Sequence, residues 1–222
     1  MQTVGEGDAR VLQLCVLAVE SLSVSGVGLS VSSGAGHHRK VAATDEVSDR
    51  VEDLQVLLGQ GPCVDAIATG APVLAADLAD AANERRWPMF TPAASAIGVR
   101  ASFSVPLVVG ELRLGAMDLY RSAAGPLHPP QVDEARDFAT AAVNMLLDQQ
   151  RSERDPHAPA ARGAPGSSVV YQATGMVMVQ LETDAESAFA ALRARAYQEG
   201  RSLQDLARDV LERRLRLSNE EV

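Results

Sequence analysis

The run "DPHAPAARGAPGSS", Asp155 to Ser168, limits what this chain can fold into more than any other stretch. Its three prolines and two glycines come with almost no large apolar side chain, so it cannot build a packed element. The chain of 222 residues is therefore expected to divide into a larger unit over 1–154, a linker over 155–168, a small unit over 169–217 and a tail over 218–222. That length suits one medium domain and one small one. A hydrophobic fraction of 46% leaves enough apolar surface for both cores.

Charge separates the parts as well. Residues 1–150 hold ten basic and eighteen acidic side chains, while 169–222 hold seven and nine. A net charge of −9 argues against attraction of the whole molecule to nucleic acid. Within Arg201–Arg216, however, five arginines face only Asp205, Asp209 and Glu212. Cys15 and Cys63 are the only cysteines, too few for a disulfide scaffold. No secretory leader pattern opens the chain, and its apolar runs fall short of the roughly 20 residues a membrane span needs. The expectation is a cytoplasmic protein with no membrane partner.

Ahead of the linker, helix and strand periodicities alternate. Val11, Leu14, Ala18 and Leu22 share one face of a helix over Arg10–Ser23. "GVGLSVSS" and "RKVAATD" read as strands around a turn, followed by a helix with Val47, Val51, Leu54 and Leu58 on one face and a stop at Gly59. "RASFSVPLVVGELRLGAMDLYR" is a hairpin turning at Gly110-Glu111, with Pro106 favouring an edge or a bulge. A long helix beginning at Pro129-Pro130 closes the unit. This order predicts an α+β domain around one antiparallel sheet with flanking helices.

"LGQGPCVDAIATGAPVLAADL", Leu58 to Leu78, together with "VRASFSVPLVVGELRLGAMDLYR", resembles the GAF domain family over roughly residues 10–150. The resemblance implies a sensory module with a small-molecule pocket over its sheet and dimerisation through terminal helices. Trp87, Met89, Phe90 and Phe103 are candidate pocket residues and equally good core residues. No cofactor motif is evident, and the cyclic-nucleotide signature carried by some GAF domains is absent. Cys63 opens a helix and is read as a buried structural cysteine; the alternative is a reactive thiol whose pKa the helix start lowers.

In the small unit, Val170, Ala173, Val177 and Leu181 mark a first helix from a cap at Ser167-Ser168. "TDAE", Thr183 to Glu186, reads as a capping box for a second helix, with Ala185, Phe189, Leu192 and Ala196 in one stripe and a stop at Gly200. Ser202 caps a third, with Leu203, Leu206, Val210 and Leu217 inward. Met176 to Val179 covers every direction around its helix, so part of that surface is expected to meet another chain or the larger unit.

"QATGMVMVQ" and "DAESAFAALRARAYQEGRSLQDLARDVL" resemble the ANTAR domain, a three-helix RNA-binding module of antitermination regulators, over Val169 to about Leu215. The resemblance implies binding of paired RNA hairpins in nascent transcripts by a homodimer, under control of the sensor. Where the family usually has lysine this chain has Thr174, which keeps only a hydroxyl. Candidate RNA contacts are Gln172 and Thr174 for hydrogen bonds, Gly175 for close approach, and Arg193, Arg201 and Arg208 for charge and stacking. The alternative is a protein-interaction or dimerisation module that binds no RNA. DNA binding is not expected, because no helix has a continuous basic face. The histidines, including His37-His38, show no metal-ligand spacing, and no catalytic constellation is visible.

Overall fold

The computed structural model describes residues 6–32, 38–154 and 165–218. His37, His157 and the expected linker residues 155–164 lie outside them. In chain order the larger unit runs α1 (Glu6–Leu22), β1 (Gly26–Ser32), β2 (His38–Ala43), α2 (Glu46–Leu58), α3 (Pro62–Thr69), β3 (Val73–Ala75), α4 (Ala81–Arg86), α5 (Phe90–Ala96), β4 (Ala101–Val109), β5 (Leu112–Arg121) and α6 (Pro129–Arg154).

The strands form one antiparallel sheet in the order β2-β1-β5-β4-β3. Phe103 pairs with Leu119 and Ser104 with Asp118, so side chains at odd and even positions of this hairpin leave by opposite faces. The odd face, with Ala101, Phe103, Val105, Leu107, Met117 and Leu119, packs under α1 and α6. Val73, Ala75 and Tyr120 on the other face meet Val51, Ala66, Trp87 and Phe90. Pro106 tolerates its place because β3 pairs only with Ser102–Ser104, and the register shifts just beyond it, between Leu107 and Val108.

Local chemistry fixes α2. The Asp45 carboxylate accepts from the Ser48 N–H at 2.7 Å, and the Ser48 hydroxyl accepts from the Asp45 N–H at 3.1 Å, a reciprocal cap. Gly59, at φ 61°, ends the helix in the left-handed conformation that glycine adopts without Cβ strain.

The small unit is a bundle of α7 (Pro165–Leu181), α8 (Ala185–Gln198) and α9 (Leu203–Leu211). Ala173, Val177, Phe189, Leu192, Leu206 and Val210 form its core. After α9 the chain turns back on α7: Leu217 is buried, and its N–H donates to Gln180 Oε1 at 3.0 Å. Two expectations need correction. Helix α7 starts at Pro165, ahead of Ser167-Ser168, because proline fits the first turn, where its missing N–H costs no helical bond. The cap of α8 is Asp184, whose carboxylate accepts from the Ser187 N–H at 2.8 Å. Thr183 instead closes α7, donating its N–H to Met178 O beside Glu182 at φ 52°. No described helix is long and apolar enough to cross a membrane.

Candidate functional site

The sheet face beneath α2 and α3 carries an unusual burden of polar groups. Ser30 from β1, Ser102 and Ser104 from β4, Asp118 from β5, Glu52 and Gln55 from α2 and Cys63 from α3 are all buried. Gly28 makes the arrangement possible. A Cβ there would stand 2.3 Å from Glu52 Oε1, so only a glycine lets that carboxyl lie on the sheet. The N–H of Cys63 donates to Gln55 Oε1 at 2.7 Å, and the Ser104 hydroxyl donates to Asp118 Oδ1. Ser30 Oγ lies 3.7 Å from Cys63 Sγ.

Burial decides the electrostatics. It pushes the Glu52 carboxyl well above the usual carboxylate range, and the charge of Asp118 adds to the shift. Asp118 is also raised by burial, so the pair holds protons that exposed carboxylates would release. Burial raises the Cys63 thiol too, reinforced by the charges of Asp118 and Glu52. Its place at a helix start does not make it a reactive thiolate, because desolvation and two acidic neighbours outweigh the helix dipole. Cys15, on the α1 side of the sheet, is pushed up to about 12, mainly by burial.

The four aromatic and methionine candidates do not line one pocket. Trp87 and Phe90 are core residues whose rings meet edge to face at 6.4 Å, and Trp87 Nε1 donates to Asp65 at 3.0 Å. Phe103 lies on the other face, under α1 and α6, as its odd strand position dictates. Met89 is 38% exposed.

The RNA candidates also separate. Gln172 and Gly175 share an exposed face of α7 with Tyr171 and Val179. A Cβ at Gly175 would meet nothing within 4 Å, so among the described residues no other element approaches it closely. Thr174 is only 2% exposed, and its hydroxyl donates to Val170 O at 2.9 Å, so it is no surface contact. Arg201 pairs with Glu199 at 3.2 Å and Asp209 at 2.5 Å, and Arg208 pairs with Asp205 at 2.8 Å. Such solvent-exposed pairs are screened and hold weakly.

Arg193 is different. It stacks over Phe189 at 5.2 Å, and its guanidinium reaches the end of α2, where a Cβ on Gly59 would lie 2.3 Å from Nη1. Burial lowers its pKa. Val56 and Leu57 of α2 pack against the bundle core beside it. Helix α2 thus points Glu52 and Gln55 at the polar cluster and Val56 and Leu57 at the bundle. Sequence reading missed Glu52 and Asp118. The available signals were an acid next to the apolar stripe of α2 and another within the apolar run Ala116–Tyr120 of β5.

A GAF domain model matches residues 9–147 and an ANTAR domain model matches residues 166–211. Among solved structures, the third GAF domain of a Synechocystis protein, in its photoproduct state, is 14% identical with a TM-score of 0.54, covering 68% of this chain and 100% of that one. The GAF domain of a phosphoenolpyruvate-protein phosphotransferase from Coxiella burnetii is 13% identical with a TM-score of 0.52, covering 65% of this chain and 84% of that one. At such identities these likenesses establish the fold alone. No curated protein matched the chain.

Proposed function

The chain belongs to the GAF domain family and carries an ANTAR domain behind its GAF domain, and from that premise we propose a signal-responsive cytoplasmic regulator that binds RNA. In this reading α7–α9 hold hairpins in nascent transcripts and so keep a competing terminator from forming. The observation that carries it is the coincidence of the ANTAR match, 166–211, with an intact three-helix bundle whose α7 exposes Tyr171, Gln172 and Gly175. An aromatic ring and an amide beside an uncrowded glycine suit splayed loop bases, which are recognised by stacking and hydrogen bonding. Arg201 and Arg208 supply phosphate contacts by exchanging their carboxylates for RNA.

Control passes through α2. With the bundle docked, Arg193 is held against the sensor, and release returns it to the RNA-binding surface. A ligand of the GAF domain shifts this equilibrium only by its difference in affinity for the two arrangements. The exposed Val16 and Leu17 on α1 support a homodimer built through the sensor. The assembly needs neither catalysis nor DNA contact.

The test is recovery of RNA crosslinked to the protein in cells. Hairpin-containing transcripts should be enriched at least about tenfold over an Arg201→Ala/Arg208→Ala variant, the size of even one lost charge-assisted contact. Binding in vitro should weaken steeply with salt through counterion release. Thr174→Val should leave retention unchanged within about twofold, since the hydroxyl it removes bonds its own helix. The exposed Tyr171, Val179 and Tyr197 favour a second reading, a protein-docking bundle. Salt-insensitive capture of protein without RNA enrichment would select it.

A further inference from the structure

Glu52, Cys63 and Asp118 offer two oxygens and one sulfur that all lie within 4.8 Å of one another. A point shared among three such atoms is at most about 2.8 Å from each, so shifts of at most about 0.5–0.8 Å reach the 2.0–2.3 Å bonds of zinc to oxygen and sulfur. Glu52 Oε1 and Asp118 Oδ2 are buried without a hydrogen bond of ordinary geometry, although both carboxyls interact with each other. A second group points the same way. Gln55 is 1% exposed, its Oε1 is fixed by the Cys63 N–H, and its Nε2 is without a partner. A buried, unsatisfied donor beside unsatisfied acceptors is costly and calls for an occupant that satisfies both. Lys40, whose charge reaches Glu52, is itself tied to Asp49 and Asp53.

We propose that this cluster is a binding site for a thiophilic divalent cation of the zinc class, held by Glu52, Cys63 and Asp118 on the inner face of the GAF sheet. The sulfur selects against magnesium and calcium, which take oxygen shells of six or more. Three protein ligands leave a fourth position for a water, which the Gln55 amide can contact as donor. Ser104, donating to Asp118 Oδ1, and Ser30, beside Cys63 Sγ, orient the ligands as outer partners do in metal sites. Loading releases the thiol proton and whatever proton the carboxyl pair holds to solvent. The site belongs to the sensor alone and stands whether or not the bundle binds RNA.

The probe is Co²⁺ titrated into chelator-treated full-length protein. One equivalent should bind with a sulfur-to-cobalt charge-transfer band, and Zn²⁺ should displace it. The band should vanish in Cys63→Ser and persist in Cys15→Ser. Asp118→Asn and Glu52→Gln, which keep the thiol, should weaken binding at least tenfold, within the range seen on loss of a metal-site partner. These two variants keep the proposal testable if Cys63→Ser does not fold. No band at stoichiometric cobalt, a band that survives Cys63→Ser, or unchanged affinity in both carboxyl variants would overturn it and leave water as the occupant.

Discussion

Leu57→Asp should free the bundle from the sensor and raise RNA retention about tenfold, because a 1.4 kcal/mol loss of docking free energy multiplies the released fraction by that factor. Leu57 and Val56 sit half-buried against the bundle core, and Leu57 lies on the side of α2 opposite the polar cluster. Removing one such contact costs about 1 kcal/mol of apolar burial, and desolvating the new carboxylate adds to it. The RNA-competent fraction rises until release is nearly complete. Hydrogen exchange should quicken across α8 while the melting of the sensor stays within a few degrees. Release without any gain in RNA would show that docking does not gate the bundle.

Glu52→Gln should raise the melting temperature in the presence of chelator, and the gain should grow with pH. Glu52 has a folded pKa above its ordinary value of 4.5. Its contribution to stability is therefore fully present below that ordinary value and is lost as pH rises toward the folded one. Glutamine escapes this loss and can donate its amide to the unpartnered Asp118 Oδ2. Each unit by which the folded value exceeds the ordinary one is worth about 1.4 kcal/mol. At about 2–4 °C per kcal/mol for a chain of this size, the variant should gain several degrees at pH 8 and little at pH 4. Equal melting of both proteins across that range would mean that Glu52 meets water in the folded state.

Much of this was readable from local pattern. The alternation Phe103, Val105, Leu107 fixed the inward face of β4 because strand period admits one answer. Gly59 and Gly200 stopped helices where only a left-handed residue closes the last turn. Ser202 capped α9 as its spacing to Asp205 requires. The misreadings were of another kind. Thr183 and Asp184 are both good caps, and the choice between them rested on how α7 ends. The four pocket candidates share an apolar residue type, which cannot tell on which side of a sheet a helix layer lies.

The sequence by itself determined the principal helices and strands, their apolar faces and the families they resemble, though not α4 and α5, because periodicity and capping act over a few residues. Only the tertiary structure decided what the two units do to each other. Glu52 and Asp118 are 66 positions apart and share no spacing motif. They meet because Gly28 lets α2 settle onto the sheet, where low dielectric makes two carboxyls and a thiol a shared electrostatic problem. Arg193 reads from its own helix as a candidate RNA contact and becomes a docking residue only because α8 lies at the end of α2. Desolvation and contact are properties of the assembled fold, and no local pattern encodes them.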